Sequence, residues 1–96
     1  MSFSRVAIVG LGLLGGSVGL AVAENLPGCT TTGYDADPEV RLRAEARGLV
    51  GRVCATAAEA ARDAELVIFC VPVGAMEQAA MEIAETLPAG AIVTDV

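Results

Sequence analysis

Histidine, lysine and tryptophan are absent from this 96-residue sequence, and aromatic residues make up only 3% of it. Without histidine, the chain lacks the side chain that most often serves as a general base or a metal ligand. Its six basic residues are scattered arginines against twelve acidic residues, so the net charge is −6. We therefore expect no nucleic-acid partner, and an anionic ligand would be held by backbone N–H groups and helix dipoles.

Cysteine is too sparse and too irregularly spaced to organise a fold or a metal site. The three residues Cys29, Cys54 and Cys70 are odd in number and form no C-x-x-C pair. Neither a disulfide framework nor a zinc site is therefore indicated. With 54% hydrophobic residues and few aromatics, the chain is expected to form one domain, 1–96, with a core of valine, isoleucine, leucine and alanine.

One long uncharged run, residues 6–23, permits an alternative interpretation. It follows Arg5 and ends in Ala-Val-Ala, as a secretory signal or a short membrane helix would. However, glycines at positions 10, 12, 15 and 16 would each weaken a helix by up to ~1 kcal/mol. The residues that follow form a coherent fold only if this run supplies the first strand and helix. We therefore expect no membrane segment.

Short apolar or β-branched runs alternate with helix-forming segments along the whole chain. Strands are predicted over residues 6–9, 30–34, 50–55, 66–71 and 91–94, and helices over residues 13–24, 38–47 and 74–86 with a short one after residue 56. Alternation of this kind predicts right-handed crossovers and a parallel sheet covered by helices on both faces. We predict an α/β, Rossmann-type doubly wound sheet with strand order 3-2-1-4-5 and a ligand at its carboxyl edge.

Two helix starts carry recognisable capping residues. Asp37 precedes Pro38, which suits an N-cap followed by proline at the first helical position. Thr56 and Glu59 have the spacing of a capping box.

The main functional signal is Gly10-Leu11-Gly12-Leu13-Leu14-Gly15, a G-x-G-x-x-G that follows a predicted strand and opens a predicted helix. We expect Gly10 to permit the tight turn, Gly12 to let a pyrophosphate approach the backbone, and Gly15 to let the helix pack closely on the sheet. The N–H groups at the helix start would then face the phosphates. The alternative is a glycine-rich turn that is merely tight.

Asp35 ends the second predicted strand twenty residues after Gly15 (35 − 15 = 20), where a carboxylate accepts hydrogen bonds from the adenosine ribose. A carboxylate there also repels a 2′-phosphate, so NAD is the expected cofactor. The segment Val71-Pro72-Val73 lies beside the predicted switch point of the sheet, although Pro72 could simply stop the strand. Asp35 could likewise be a solvated turn residue. Cys70 is interpreted as a small core residue.

The predicted site contains no catalytic residue and no metal ligand. Its predicted cofactor-binding residues are Gly10, Gly12, Leu13, Leu14, Gly15, Asp35, Val71, Pro72 and Val73.

These motifs together resemble the opening of the prephenate (or arogenate) dehydrogenase family over essentially the whole chain. The segments that carry the resemblance, in order, are 9–17 (VGLGLLGGS), 33–35 (GYD), 48–50 (GLV), 70–73 (CVPV) and 92–96 (IVTDV). The doubled glycine with Ser17, and Val-Pro-Val after the fourth strand, distinguish it from 3-hydroxyacid and 6-phosphogluconate dehydrogenases. Those relatives usually carry methionine or asparagine inside the glycine turn.

The resemblance implies a cytoplasmic enzyme of tyrosine biosynthesis that oxidises prephenate or arogenate with NAD and releases carbon dioxide. It also implies that the catalytic histidine, a Gly-Ser-x-Lys segment and a helical domain that forms the homodimer lie beyond Val96. We therefore expect the 96 residues to be a fragment that is inactive alone. Two alternatives stay open at this point: another β-hydroxyacid- or imine-type dehydrogenase, and a non-catalytic NAD-sensing module.

Overall fold

The computed structural model of the chain describes residues 3–96. Within them the elements follow in the order β1 (Arg5–Val9), α1 (Leu13–Asn25), β2 (Thr30–Tyr34), α2 (Pro38–Arg47), β3 (Arg52–Val53), α3 (Ala57–Ala61), β4 (Leu66–Phe69), α4 (Val73–Ile83) and β5 (Ile92–Asp95). The strands form one sheet in the order β3-β2-β1-β4-β5, and each neighbouring pair is parallel. This confirms the predicted Rossmann-type architecture.

The centre of the sheet is β1, whose residues 6–9 are all buried. Val6 and Ile8 pack on the face that α1 and α2 cover, together with Leu11 and Ala44. The alternate residues of β1 face α3 and α4. A strand covered on both faces must be apolar throughout, which explains why the uncharged run 6–23 begins with four apolar residues.

The run 6–23 is a strand followed by the first part of a helix, so it is part of the folded domain. None of the helices within residues 3–96 is long and apolar enough to cross a membrane.

The fourth strand is shorter than predicted. The sequence predicted it to continue to Val71, but β4 ends at Phe69. The Cys70 N–H still donates to the carbonyl oxygen of Val9 at 2.7 Å. Beyond that bond β1 gives way to the turn at Gly10, so the next residues have no strand beside them on that side.

The third strand is also shorter than predicted, with two residues where 50–55 was expected. The Gly51 N–H donates to the hydroxyl of Thr31 at 2.8 Å and not to a ladder carbonyl. The last helix starts at Val73 and ends at Ile83, earlier at both ends than the predicted 74–86.

Both predicted helix starts are confirmed, the second only in part. The Asp37 carboxylate accepts from the N–H of Glu39 at 2.9 Å, and Pro38 is the first helical residue. The Thr56 hydroxyl accepts from the N–H of Glu59 at 3.1 Å. The Glu59 carboxylate forms an ion pair with Arg52 at 2.9 Å, where a full capping box would turn it back to the helix start.

Candidate nucleotide-binding site

The turn between β1 and α1 can be built only with glycine at two positions. Gly10 has φ of +102°, which side chains rarely adopt, and a Cβ there would overlap the carbonyl oxygen of Cys70. A Cβ at Gly15 would overlap the carbonyl oxygen of Gly10 and lie 2.7 Å from its carbonyl carbon. The lack of room for a Cβ at either position shows that the first turn of α1 lies directly against the end of β1.

Gly12 differs from both, because its missing side chain would point into open space. It is the N-cap of α1, with φ −71° and ψ −156°, and a Cβ there would meet no atom within 4 Å. In the described structure no side chain caps α1, and its first turn contains no acidic residue. The N–H groups at a helix start need partners, so this end of α1 is suited to an anion.

The Asp35 carboxylate is held in place by two backbone groups. Its Oδ2 accepts from the N–H of Leu11 at 2.8 Å, and its Oδ1 accepts from the N–H of Asp37 at 2.9 Å. The first bond ties the end of β2 to the glycine turn. Because each carboxylate oxygen has two lone pairs, the group can still accept from a sugar hydroxyl.

Arg41 also holds Asp35 in place, although it does not line the cleft around that residue. Its Nη1 donates to the backbone carbonyl oxygen of Asp35 at 2.7 Å. Its guanidinium carbon lies 5.6 Å from the centre of the Tyr34 ring, within cation–π range. Asp35, directly after β2, is therefore held by hydrogen bonds at both its backbone carbonyl and its side-chain carboxylate.

A cleft of about 270 Å³ opens between the ends of β1, β2 and β4. Five of the predicted site residues line it: Gly10, Gly12, Asp35, Val71 and Pro72. Five residues that the sequence did not indicate as ligand contacts line it as well: Val9, Tyr34, Ala36, Cys70 and Ala75. The glycine turn, the Asp35 carboxylate and the segment after β4 are thus brought together.

Cys70 packs against the core, as the sequence suggested, but it also reaches the cleft. Its side chain is half-buried and lines the cleft, and burial raises the pKa of its thiol. Its place between β4 and Pro72 was the available signal, because residues that end a strand at the carboxyl edge reach the ligand site.

The remaining predicted residues lie outside the lining of this cleft. Leu13 and Val73 are the first residues of α1 and α4, and their exposed fractions are 95% and 89%. Leu14 is also exposed. Gly15 is buried behind the turn, where its role is close packing.

Two larger cavities lie away from the glycine turn. One cavity has a volume of about 560 Å³ and is lined mainly by residues of β2 and by the segment that leads into β3. The other has a volume of about 360 Å³ and lies at the amino end of the sheet, near Arg5 and Ile92. Neither contains the glycine motif or Asp35. Since open parallel sheets bind ligands at the carboxyl ends of their strands, we assign the smaller cleft as the site.

Sequence comparison relates the chain to a group of dehydrogenases. A sequence profile described as prephenate dehydrogenase, nucleotide-binding domain, matches residues 18–96. The matched residues begin after the glycine turn and do not include it. Cyclohexadienyl dehydrogenase of Zymomonas mobilis is 40% identical over 93 residues, which make up 97% of this chain and 32% of that protein.

The backbone fold of the chain is also similar to those of solved dehydrogenase structures. Prephenate dehydrogenase from A. aeolicus, in complex with hydroxyphenyl propionate and NAD+, has a TM-score of 0.87 and 26% identity, covering 99% of this chain and 34% of that one. Arogenate dehydrogenase from Synechocystis has a TM-score of 0.85 and 25% identity, covering 96% and 32%. The chain therefore spans about a third of the length of these relatives.

Proposed function

Because the chain belongs to the prephenate dehydrogenase family, we propose that it is the NAD-binding part of an enzyme that oxidises prephenate or arogenate in tyrosine biosynthesis. NAD would accept the hydride, and the substrate would lose carbon dioxide. The observation that carries the proposal is the pairing of an open, uncapped start of α1 with a carboxylate fixed at the end of β2.

The residues of the cleft fit a dinucleotide. The open space beside Gly12 is the position where a side chain would displace a pyrophosphate, and the N–H groups of α1 would donate to its oxygens. Asp35 would accept from the adenosine ribose, with its orientation set beforehand by the N–H of Leu11. Val71 and Pro72 would form the wall against which the nucleotide lies. Leu13, Leu14 and Val73 would contact it from the exposed rim.

Further parts of the proposal concern the whole enzyme. The substrate would be a small molecule, and a helical domain that also forms a homodimer would supply the opposite wall of its site. We place the enzyme in the cytoplasm, which three free cysteines without a disulfide support. We expect the enzyme to have no nucleic-acid partner and no membrane partner.

Calorimetric titration of the chain with NAD and with NADP tests the cofactor. A hydrogen bond to a charged group contributes about 1.5–3 kcal/mol, so NAD should bind about ten- to a hundredfold more tightly. Asp35→Ser should narrow this preference, whereas Asp63→Ser, which alters an exposed aspartate outside the cleft, should leave it unchanged. Equal affinities of the parent chain for both dinucleotides would contradict the assignment of Asp35.

An NADH absorbance assay with prephenate and arogenate tests the reaction. We expect the 96 residues alone to give no turnover, because none of them is a histidine that could take the substrate proton. Orientation of a substrate against the nicotinamide can supply ~7–11 kcal/mol, and it requires a second wall. Turnover above that of a heat-inactivated control would show that these 96 residues contain their own base.

A further inference from the structure

The carboxylate of the cleft is carried by a residue outside the sheet and outside the helices. The strand β2 ends at Tyr34 and α2 begins at Pro38, so Asp35 lies in the connection 35–37. A functional side chain on a loop is held less precisely than one on a strand or helix, unless neighbouring residues fix the loop. The position of Asp35 therefore depends on contacts from outside its own segment.

Arg41, one turn into α2, holds this connection at both ends. Its Nη1 donates to the backbone carbonyl oxygen of Asp35 at 2.7 Å, and its own backbone N–H donates to the carbonyl oxygen of Asp37 at 3.1 Å. Its guanidinium carbon lies 5.6 Å from the centre of the Tyr34 ring. One planar group thus contacts two consecutive residues, Tyr34 and Asp35, that both line the cleft, while Arg41 itself is absent from the lining.

The guanidinium group leaves the carboxylate of Asp35 available for a ligand. It bonds to the backbone carbonyl oxygen, and the carboxylate oxygens accept from backbone N–H groups. Among residues 3–96 the ion pair that forms is Arg52 with Glu59, so Arg41 neutralises no carboxylate there. Asp37 and Glu45 stand four residues before and after Arg41, where they partly balance its charge. Its effect on the cleft therefore comes from where the guanidinium group lies.

We propose that Arg41 is a positioning residue for the cofactor, which holds Asp35 where its carboxylate can accept from the ribose hydroxyls without contacting the nucleotide itself. The inference rests on the proposed dinucleotide function of the cleft. When Arg41 is removed, the connection 35–37 becomes looser. The same carboxylate then has to be ordered at the moment of binding, which lowers affinity.

The test is a double-mutant cycle between Arg41→Met and Asp35→Ser, with NAD affinity measured by calorimetry. Methionine keeps an unbranched side chain with good helix propensity and removes the guanidinium group. Arg62→Gln is the control, because it removes an equal charge from an exposed position outside the cleft. Arg41→Lys keeps the charge but lacks the planar fork that donates and stacks at once.

Two further measurements separate positioning from a general loss of structure. The probes 5′-AMP and 2′,3′-dideoxy-AMP differ only in the ribose hydroxyls, and nuclear magnetic resonance titration gives their affinities. The amide signals of Leu11 and Asp37 report on Asp35 directly, because both N–H groups donate to its carboxylate. Those signals are recorded without any ligand.

Arg41→Met should weaken NAD and 5′-AMP by about three- to tenfold, a part of the ten- to hundredfold effect of losing a charged hydrogen bond. In the Asp35→Ser background it should change NAD affinity by less than about twofold, since coupled residues are not additive. The dideoxy probe should also change by less than about twofold. The amide signals should move toward their positions in Asp35→Ser. Arg41→Lys should recover part of the affinity, and Arg62→Gln should behave as the parent.

Four results would overturn the proposal while leaving the dinucleotide function intact. Equal effects of Arg41→Met in both backgrounds would show that Arg41 acts independently of Asp35. Equal weakening of the two probes would show an effect unrelated to the ribose hydroxyls. Unchanged amide signals would show that Asp35 has not moved, and an Arg41→Lys that binds as the parent does would reduce the role to charge. A parent chain that binds no dinucleotide would instead refute the proposed function, and this inference with it.

Discussion

Gly12→Val is expected to abolish dinucleotide binding and to leave the domain folded. The Cβ of a residue at this position meets nothing within 4 Å, and the backbone φ of −71° suits valine. Valine is a poorer N-cap than glycine, but it also restricts the unfolded chain. The free energy of unfolding should therefore change by about 1 kcal/mol or less, which is a shift of melting temperature of about 4–8 °C at most for a domain of this size.

The binding loss follows from the same geometry. The branched side chain would fill the space beside Gly12 in which we propose that the pyrophosphate lies, next to the N–H groups of α1. Each hydrogen bond from such a group to a charged oxygen contributes about 1.5–3 kcal/mol. Loss of even one weakens NAD binding by about ten- to a hundredfold, which titration calorimetry measures directly.

Gly15→Ala is the matched contrast, since it adds one carbon three residues away. That carbon would overlap the carbonyl oxygen of Gly10, a backbone atom that cannot rotate aside. Overpacking of this kind destabilises by about 1–3 kcal/mol or more, so thermal melting followed by circular dichroism should show a clear decrease. An unfolded Gly12→Val, a Gly12→Val that binds NAD as the parent does, or a Gly15→Ala as stable as the parent would each refute the reasoning.

Two further predictions concern titratable groups. The Glu65 carboxylate accepts from the N–H groups of Ser4 at 2.6 Å and Arg5 at 3.0 Å, and these bonds lower its pKa; its stabilising contribution is thus present above the pKa of the unfolded chain and is lost as pH falls through the folded pKa. Melting temperatures of Glu65→Gln should depend less on acid pH than those of the parent, and identical profiles would contradict this. Burial raises the pKa of the Cys70 thiol, so its alkylation by iodoacetamide should be slow at neutral pH and accelerate in alkali. NAD should slow the alkylation of Cys70 further, as measured by mass spectrometry. An unchanged rate would show that the bound nucleotide does not cover Cys70.

The order of the sheet could be predicted because it depends on a pattern that every segment repeats. Strands that alternate with helices leave few topologies once crossovers are right-handed. The positions of the glycine turn and of Asp35 could also be predicted, because they depend on residue type and on a fixed distance along the chain. Their roles in cofactor binding stay predictions. Local signals also defined the start of α2, where Asp37 and Pro38 are consecutive residues that cap and open the helix.

Features that depend on how elements pack could not be predicted in the same way. Arg43 and Arg47 of α2 line a cavity together with residues of α1, and no local sequence pattern indicates which side of a polar helix lies near another element. The early end of β4 depends on the turn at Gly10, a residue far away in sequence. Cys70 lies half-buried in the cleft for the same reason, although its residue type is typical of a core.

The helix that opens the site buries three residues, and all of them are glycines: Gly15, Gly16 and Gly19. A Cβ at Gly19 would overlap the carbonyl oxygen of Leu49, and one at Gly16 would lie 2.9 Å from a methyl carbon of the same leucine. Each interior glycine weakens an isolated helix by up to about 1 kcal/mol, so α1 depends on the segment that follows α2 for its order. We therefore expect the glycine turn and that segment to open together in local unfolding. A ligand bound at the first turn would then make the opening of the β1–β3 part of the sheet less populated, which amide hydrogen exchange measures.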